Sequence, residues 1–226
     1  MKKINFLASL VALIGLAACG SNANSGEATD INSDSGAQFA VNVEASTVAW
    51  TGTKVVGMGM HAGTFGIQSG SFTVKEGQVV GGSFVLDLNN IVCTDTASWM
   101  NEELKGKLVG HLKDTSFLFV AEFPTATFEI ASVVALDSAD ANGNSHTVTG
   151  NLTLRGETRS ISFPAKMEVS ETSVHAVGQA VINRLDFGIN YDKEKMSLTE
   201  KLKATVQNGI VGENVTIDMD LTASAQ

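Results

Sequence analysis

The sequence predicts an all-β protein, a closed antiparallel barrel of about eight strands with one or two short helices in the connections. Three observations support this prediction. Apolar and polar residues alternate over most of the chain after Phe39, as they do in strands with one buried face. Short turn signals separate the alternating runs. Only 2 prolines occur among 226 residues, so few positions force a strand to end.

The alternation divides into eight candidate strands, which are separated by signals such as Asn142-Gly143-Asn144 and Arg155-Gly156. Their expected ranges are 46–56, 63–75, 79–91, 126–137, 145–155, 159–170, 172–183 and 214–224. Long antiparallel strands leave exposed edges unless the sheet closes on itself, which favours a barrel. A barrel of eight strands is filled by side chains or holds one small or slender ligand.

Two segments break the rhythm. Between Thr96 and Asp114 the apolar residues have helical spacing, at Trp99, Leu104, Leu108 and Leu112. We expect a helix there, with an N-cap at Asp95, Thr96 or Ser98. The second segment is the charged stretch 191–208, and within it we expect Glu194 to Val206 to form a short helix or an ordered loop. The role of this stretch is open.

The amino terminus has the pattern of a secretory leader. Lys2 and Lys3 precede an apolar run that is too short to span a bilayer. Leu16-Ala17-Ala18-Cys19 is similar to the bacterial lipobox, in which the cysteine is acylated before cleavage. We therefore expect a lipoprotein signal peptide over residues 1–18 and lipidation of Cys19. An ordinary signal peptide with a chance cysteine is the alternative.

Residues 19–38 follow as an expected lipidated, flexible tether, because they are polar, rich in Ser, Asn and Gly, and contain one large aliphatic residue, Ile31. The barrel domain is then expected over residues 39–226. A lipid anchor places the protein in the bacterial cell envelope. Gly20 rather than Asp follows Cys19, which favours the outer membrane, on its periplasmic face or at the cell surface.

Charge and cysteine content exclude several classes of function. The leader contains 2 lysines and no acidic residue, so the mature chain has a formal charge of (15 − 2) − 24 = −11. A surface this acidic argues against binding nucleic acid or docking electrostatically on anionic lipid. Cys93 is the only cysteine besides Cys19. If Cys19 is acylated, no internal disulfide forms and the core must stabilise the fold.

Five stretches in order resemble the YceI-like domain family. They are MHAGTFGIQSGSF, GGSFVLDLNNI followed by Thr94-Asp95, LVGHLKDTSFLFVAEFPTATFEI, VTGNLTLRGETRSISFPAKM and VINRLDFGI. The resemblance covers most of Val43 to Leu221. It implies a lipocalin-like barrel that binds a polyisoprenoid, either a polyprenyl lipid or an isoprenoid quinone.

A prenyl chain is long and apolar, so a dry tube of apolar side chains is sufficient to hold it. The expected ligand-binding residues are Phe72, Phe84, Leu86, Leu88, Phe128, Ile130, Leu152, Leu154, Phe163 and Met167. The same residues would be apolar in a filled barrel. The alternative function is therefore an envelope accessory factor that binds a protein partner or responds to stress.

The sequence offers no enzyme signature. It contains no G-x-S-x-G motif, and no nucleophile–base pair emerges, so we expect no catalytic residue. Neither His61 nor His111 has a second ligand at metal spacing, and we expect both to make structural hydrogen bonds without a metal or cofactor. Arg184 belongs to the I-N-R-x-D-F-G stretch of the resemblance and is either structural or a partner for a phosphate head group.

Overall fold

The computed structural model describes residues 25–31, 35–54, 59–190 and 211–226, and these form one antiparallel sheet with two short helices in its connections. The nine strands are β1 Ala37–Val41, β2 Thr47–Lys54, β3 Gly59–Lys75, β4 Gln78–Cys93, β5 Thr125–Ala135, β6 His146–Leu154, β7 Glu157–Val169, β8 Ser173–Asn183 and β9 Val211–Ala225. Helix α1 spans Glu102–Lys113, and a 3-10 helix spans Arg184–Phe187.

The sheet closes into a barrel. From β3 to β9, each strand pairs with the next strand in the chain. β2 pairs with both β3 and β9 and so joins the two ends of the sheet. The short strand β1 also pairs with β3 and β9, so β1 and β2 share one position in the wall. The barrel therefore has eight positions, as the alternation predicts. The separate strand β1 was not predicted, because only Phe39 and Val41 carry its apolar face.

The connections define two ends of the barrel. The end that we call the turn end has the hairpin at Glu76-Gly77, the loop 136–145 and the turn 170–172. The opposite end, which we call the helix end, has α1, the 3-10 helix and the hairpin at Arg155-Gly156. Both hairpin turns have positive φ at each residue, 53° and 76° at Glu76-Gly77 and 53° and 78° at Arg155-Gly156. That backbone is typical of the two-residue turns that match strand twist.

Helix α1 begins later than the sequence predicts. Its N-cap is Asn101, whose side chain accepts a hydrogen bond of 3.0 Å from the Leu104 N–H. The predicted caps, Asp95, Thr96 and Ser98, were wrong. Trp99 consequently lies outside the helix and is 61% exposed.

The wall has an open seam between β7 and β8. These strands pair only near the turn end, from Ala165 with Gly178 to Val169 with Val174. Nearer the helix end, Gly26 pairs with Ser160 of β7. Residues 25–31 therefore lie along the outside of the barrel, although the sequence predicts a flexible tether over residues 19–38. Hydrogen bonds with Asn151, Ser160 and Asp186 hold them there.

Large aromatic rings inside the barrel lie over glycines of the neighbouring strand. A Cβ placed on Gly63 would be 2.6 Å from the ring of Trp50, and one on Gly70 would be 2.8 Å from that of Phe84. The rings of Phe128 and Phe163 similarly lie against Gly150 and Gly178. A ring that covers a glycine occupies the space of the missing side chain and stays close to the wall. This packing leaves the middle of the barrel open.

Several sequence-based predictions fall outside the described residues: the leader 1–18, the lipidation of Cys19, the tether up to residue 24 and the stretch 191–208. No helix in the described part of the chain is long and apolar enough to cross a membrane.

The glycine–aromatic packing makes a stability prediction. Gly70→Ala should lower the free energy of unfolding by about 1–3 kcal/mol, because the new methyl group would lie only 2.8 Å from the Phe84 ring. Gly52→Ala, in the adjacent strand, is the matched control, since a Cβ there meets nothing within 4 Å. Denaturant unfolding of both variants measures the difference. Equal stability of the two would contradict this account of the packing.

Candidate ligand cavity

An apolar cavity of about 440 Å³ occupies the barrel interior. Its volume lies within the roughly 300–1,000 Å³ of small-molecule sites. Strands β2 to β9 all contribute side chains to its lining, and α1 contributes Leu108 and Leu112 at the helix end. The eight-position barrel is thus hollow, whereas the sequence was compatible with either a hollow or a filled barrel.

All ten predicted ligand-binding residues line this cavity. Five are fully buried in its wall, namely Phe72, Leu88, Ile130, Leu154 and Phe163. The other five, Phe84, Leu86, Phe128, Leu152 and Met167, are partly buried and pack against the core. Since their strand positions point inward, their accessible surface faces the cavity. Their contact with a ligand stays a prediction.

Four of these residues form a row of aromatic rings across the wall. The ring centroids of Phe72 and Phe84 are 5.1 Å apart, those of Phe84 and Phe128 are 6.4 Å apart, and those of Phe128 and Phe163 are 5.7 Å apart. The rings come from β3, β4, β5 and β7. Such tilted and edge-on contacts hold each ring in a defined orientation. The row gives the cavity one rigid apolar side.

Sequence reasoning did not name the lining at the helix end and on the β2–β3–β9 side. The residues that it missed include Trp50, Phe65, Ile67, Phe117, Leu118, Ile217 and Met219. The missed residues that lie in strands show the same period-two alternation as the ten predicted ligand-binding residues. Phe117 and Leu118 follow α1 in an irregular segment, where no periodicity marks the inward side.

A hydrogen-bonded pair lies beside the cavity at the helix end. His61 Nδ1 donates to Asp95 Oδ2 over 2.6 Å, and Asp95 Oδ1 accepts from the Ala62 N–H over 2.8 Å. Burial acts to raise the pKa of Asp95, but these two hydrogen bonds hold it below its ordinary value. The pair ties the start of β3 to the segment after β4. The hydrogen bond predicted for His61 is present, and its structural role stays a prediction.

Arg184 is 5% exposed and donates to backbone carbonyls. Its Nε donates to Gly212 O over 3.0 Å, and Nη1 donates to Ile189 O. Burial lowers the pKa of Arg184, and Glu213 acts in the opposite direction. These bonds join the 3-10 helix to the start of β9. They favour the structural interpretation of Arg184 over the head-group interpretation.

Cys93 ends β4 and is buried. Burial raises the pKa of its thiol above the ordinary value, the nearby Asp95 carboxylate also raises it, and a hydrogen bond with the Asp95 backbone acts in the opposite direction. A buried protonated thiol is a poor nucleophile. Across the described ranges no three histidine, cysteine or acidic side chains converge in a way that would hold a metal ion.

The His61–Asp95 pair makes a pH prediction. Asp95→Ala should cost about 1.5–3 kcal/mol at pH 7, because it leaves the Ala62 N–H and His61 without their charged acceptor. The folded pKa of Asp95 lies below 3.8, so its contribution is present above that pH and is lost as the pH falls through the lowered pKa. Urea unfolding at pH 7 and pH 3 should therefore show the wild-type advantage shrinking with acid.

Asp137→Ala removes an exposed loop carboxylate and is the matched control, with little expected change at either pH. An Asp95→Ala penalty that stays constant between pH 7 and pH 3 would contradict a charge-dependent role for Asp95.

The fold and the cavity define a class, a hollow antiparallel barrel with an apolar interior. The family model of the YceI-like domain matches residues 39–223, and the chain belongs to that family. Among curated proteins, a UPF0312 protein of Pseudomonas aeruginosa is 35% identical over 103 residues, which is 43% of this chain and 51% of the relative. A UPF0312 protein of Yersinia pestis is 33% identical over 114 residues, 50% and 52% of the two chains. The chain spans about half the length of these curated relatives.

Two solved structures share the fold. BcnA of Burkholderia cenocepacia superimposes with a TM-score of 0.57 at 19% identity, over 81% of this chain and 99% of that one. A polyisoprenoid binding domain from Saccharophagus degradans, implicated in plant cell wall breakdown, gives a TM-score of 0.56 at 16% identity, over 83% and 98%. The predicted lipocalin-like barrel of the YceI-like family is confirmed.

Proposed function

We propose that this protein binds a long apolar ligand, a polyprenyl lipid or an isoprenoid quinone, inside its barrel. It acts as a carrier, buffer or sensor of that ligand in the bacterial cell envelope. The observation that carries the proposal is the apolar cavity of about 440 Å³ with its row of aromatic rings. Membership of the YceI-like family and the fold shared with a polyisoprenoid binding domain support it.

The chemistry of the lining suits a hydrocarbon chain. Removing apolar surface from water contributes about 25 cal/mol per Å². A prenyl chain therefore gains its affinity from contact area along the tube and needs no charged partner. Two polar side chains of the lining at the helix end, His61 and Arg184, are hydrogen-bonded to Asp95 and to backbone carbonyls.

The proposal includes a lipid anchor at Cys19. The lipobox-like sequence before Cys19 and the polar residues after it support this part. An acylated cysteine would hold the barrel at the outer membrane, near the source of a water-insoluble ligand. A diacylated anchor binds a membrane stably, whereas one chain binds only marginally.

We propose binding and not catalysis. Of the side chains beside the cavity, His61 and Cys93 have the chemical groups most often used in catalysis. His61 donates a hydrogen bond to Asp95, and burial raises the pKa of the Cys93 thiol and so keeps it protonated. Neither arrangement supplies an activated nucleophile, because the Cys93 thiol lies beside Asp95 and its pKa is raised, not lowered.

Native mass spectrometry tests the proposal directly. A soluble form that begins after Cys19, produced in a bacterial periplasm, should carry a co-purifying prenyl lipid or quinone, which solvent extraction then identifies. Leu152→Asp should abolish that mass shift, because it places an unpaired carboxylate in the apolar cavity. Thr149→Asp, on the outer face of the same strand, is the matched control and should retain the ligand.

Thermal unfolding of each variant confirms that it is folded. A mass without ligand, and no uptake when a prenyl lipid is offered, would contradict the proposal. That result would favour the alternative of an envelope accessory factor that binds a protein partner.

A further inference from the structure

The segment 25–31, which we call the strap, is attached to the outside of the barrel at specific places. Gly26 and Ser160 exchange two backbone hydrogen bonds of 2.9 and 3.0 Å. The Asn151 side chain accepts from the Thr29 N–H over 2.8 Å and donates to the Thr29 carbonyl over 2.7 Å. Ser25 donates to the carboxylate of Asp186. The strap thus connects the 3-10 helix, β7 and β6 across the seam that β7 and β8 leave open.

Asn151 shows that this attachment is built into the barrel. Its position in β6 points outward, since Leu152 and Leu154 on the same strand line the cavity. An outward amide is normally solvated, yet Asn151 is only 7% exposed. Both of its amide hydrogen-bonding groups are used by the backbone of Thr29, as in a strand pair.

The strap determines where the membrane anchor emerges. Ser25 lies at Asp186 in the 3-10 helix, at the helix end of the barrel. Cys19 precedes Ser25 by six residues, which span at most about 20 Å. Along β7 the turn end at Val169 is nine residues beyond Ser160, about 30 Å of strand. An anchor at Cys19 therefore reaches a membrane beside the helix end and not one beside the turn end.

Half of the exposed large apolar side chains in the described chain lie at the same end. Of ten exposed large apolar residues in the described chain, five lie there: Met60, Val92, Trp99, Leu104 and Leu185. Trp99 and Met60 are 61% and 64% exposed. Tryptophan is enriched where protein meets the bilayer interface, because its ring is apolar and its N–H is polar.

The charged side chains on the exposed side of α1 are paired with one another. Lys105 is paired with Glu102 at 2.9 Å and Lys107 with Glu103 at 2.6 Å, so the exposed side of α1 has little net charge. The chain as a whole is acidic and would not be attracted to anionic lipid. Apolar contact together with a lipid anchor is then sufficient for binding.

We propose that the helix end of the barrel is a membrane-docking surface for a phospholipid bilayer, oriented by the strap, with Trp99 and Met60 entering the head-group region. This inference rests on the lipid anchor of the proposed function. Trp99 also contacts His61 edge to face at 6.3 Å, and His61 lines the cavity. The docking surface is therefore adjacent to the cavity, at the end where a ligand from the membrane would enter.

The test uses the chain from Cys19 to Gln226, coupled through the Cys19 thiol to a maleimide phospholipid in phosphatidylcholine vesicles. Cys93 is buried and does not compete. The chain has 2 tryptophans, so Trp50→Phe leaves Trp99 as the only reporter. A docked indole lies about 5–10 Å into the interface, so lipids brominated on the upper acyl chain should lower its emission roughly twofold.

The matched control places the reporter at the other end, as Leu136→Trp with Trp50 and Trp99 both changed to phenylalanine. Leu136 is exposed in the turn-end loop, and its reporter should be unaffected by brominated lipid. Gly26→Pro and Asn151→Ala release the strap without touching the barrel interior, and both should reduce the quenching of Trp99.

Equal quenching at the two ends, or none at Trp99, would overturn the docking surface. Quenching of Trp99 that both strap variants leave unchanged would overturn the role of the strap. Co-purified ligand, measured by mass on the chain that retains Trp50, reports the proposed function separately. Synthetic coupling makes the result independent of acylation in the cell.

Discussion

The pairing of β2 with both β3 and β9 closes the sheet, and the other features of the molecule depend on that closure. A closed sheet has an inside, so every alternating strand must direct one set of side chains into a shared volume. The cavity exists because eight wall positions enclose more space than the apolar side chains fill. β1 extends the closure toward the turn end by pairing with the same two neighbours as β2.

The interior stays open because of how its largest side chains are placed. The rings of Trp50, Phe84 and Phe128 occupy the space beside glycines of adjacent strands, so they thicken the wall and do not fill the centre. At the helix end the polar groups are satisfied within the protein, through the His61–Asp95 pair and the carbonyl contacts of Arg184. The Trp50 Nε1 is buried without a hydrogen-bond partner, but the rest of the lining is mainly apolar and favours an apolar guest over water.

The sequence predicted what depends on local periodicity. Period-two alternation identified the strands that make up the eight positions, and the ten residues proposed for the ligand all lie at the cavity because inward positions share one parity. Prediction failed where contacts between residues far apart in the sequence determine the local structure. Asp95 resembled a helix cap but bonds to His61, which is 34 residues earlier. Residues 25–31 are polar and rich in small residues, so nothing local revealed that Asn151 holds them against the barrel.

The most direct test of a hollow, ligand-holding barrel is a titration of delipidated protein with prenols of increasing length, followed by the emission of Trp50 in a Trp99→Phe background. The Trp50 ring lines the cavity, so its spectrum reports occupation of the interior. The account predicts that affinity rises with each isoprene unit added and levels off once the chain fills the barrel. Affinity independent of chain length, or no change in Trp50 emission at any length, would contradict it.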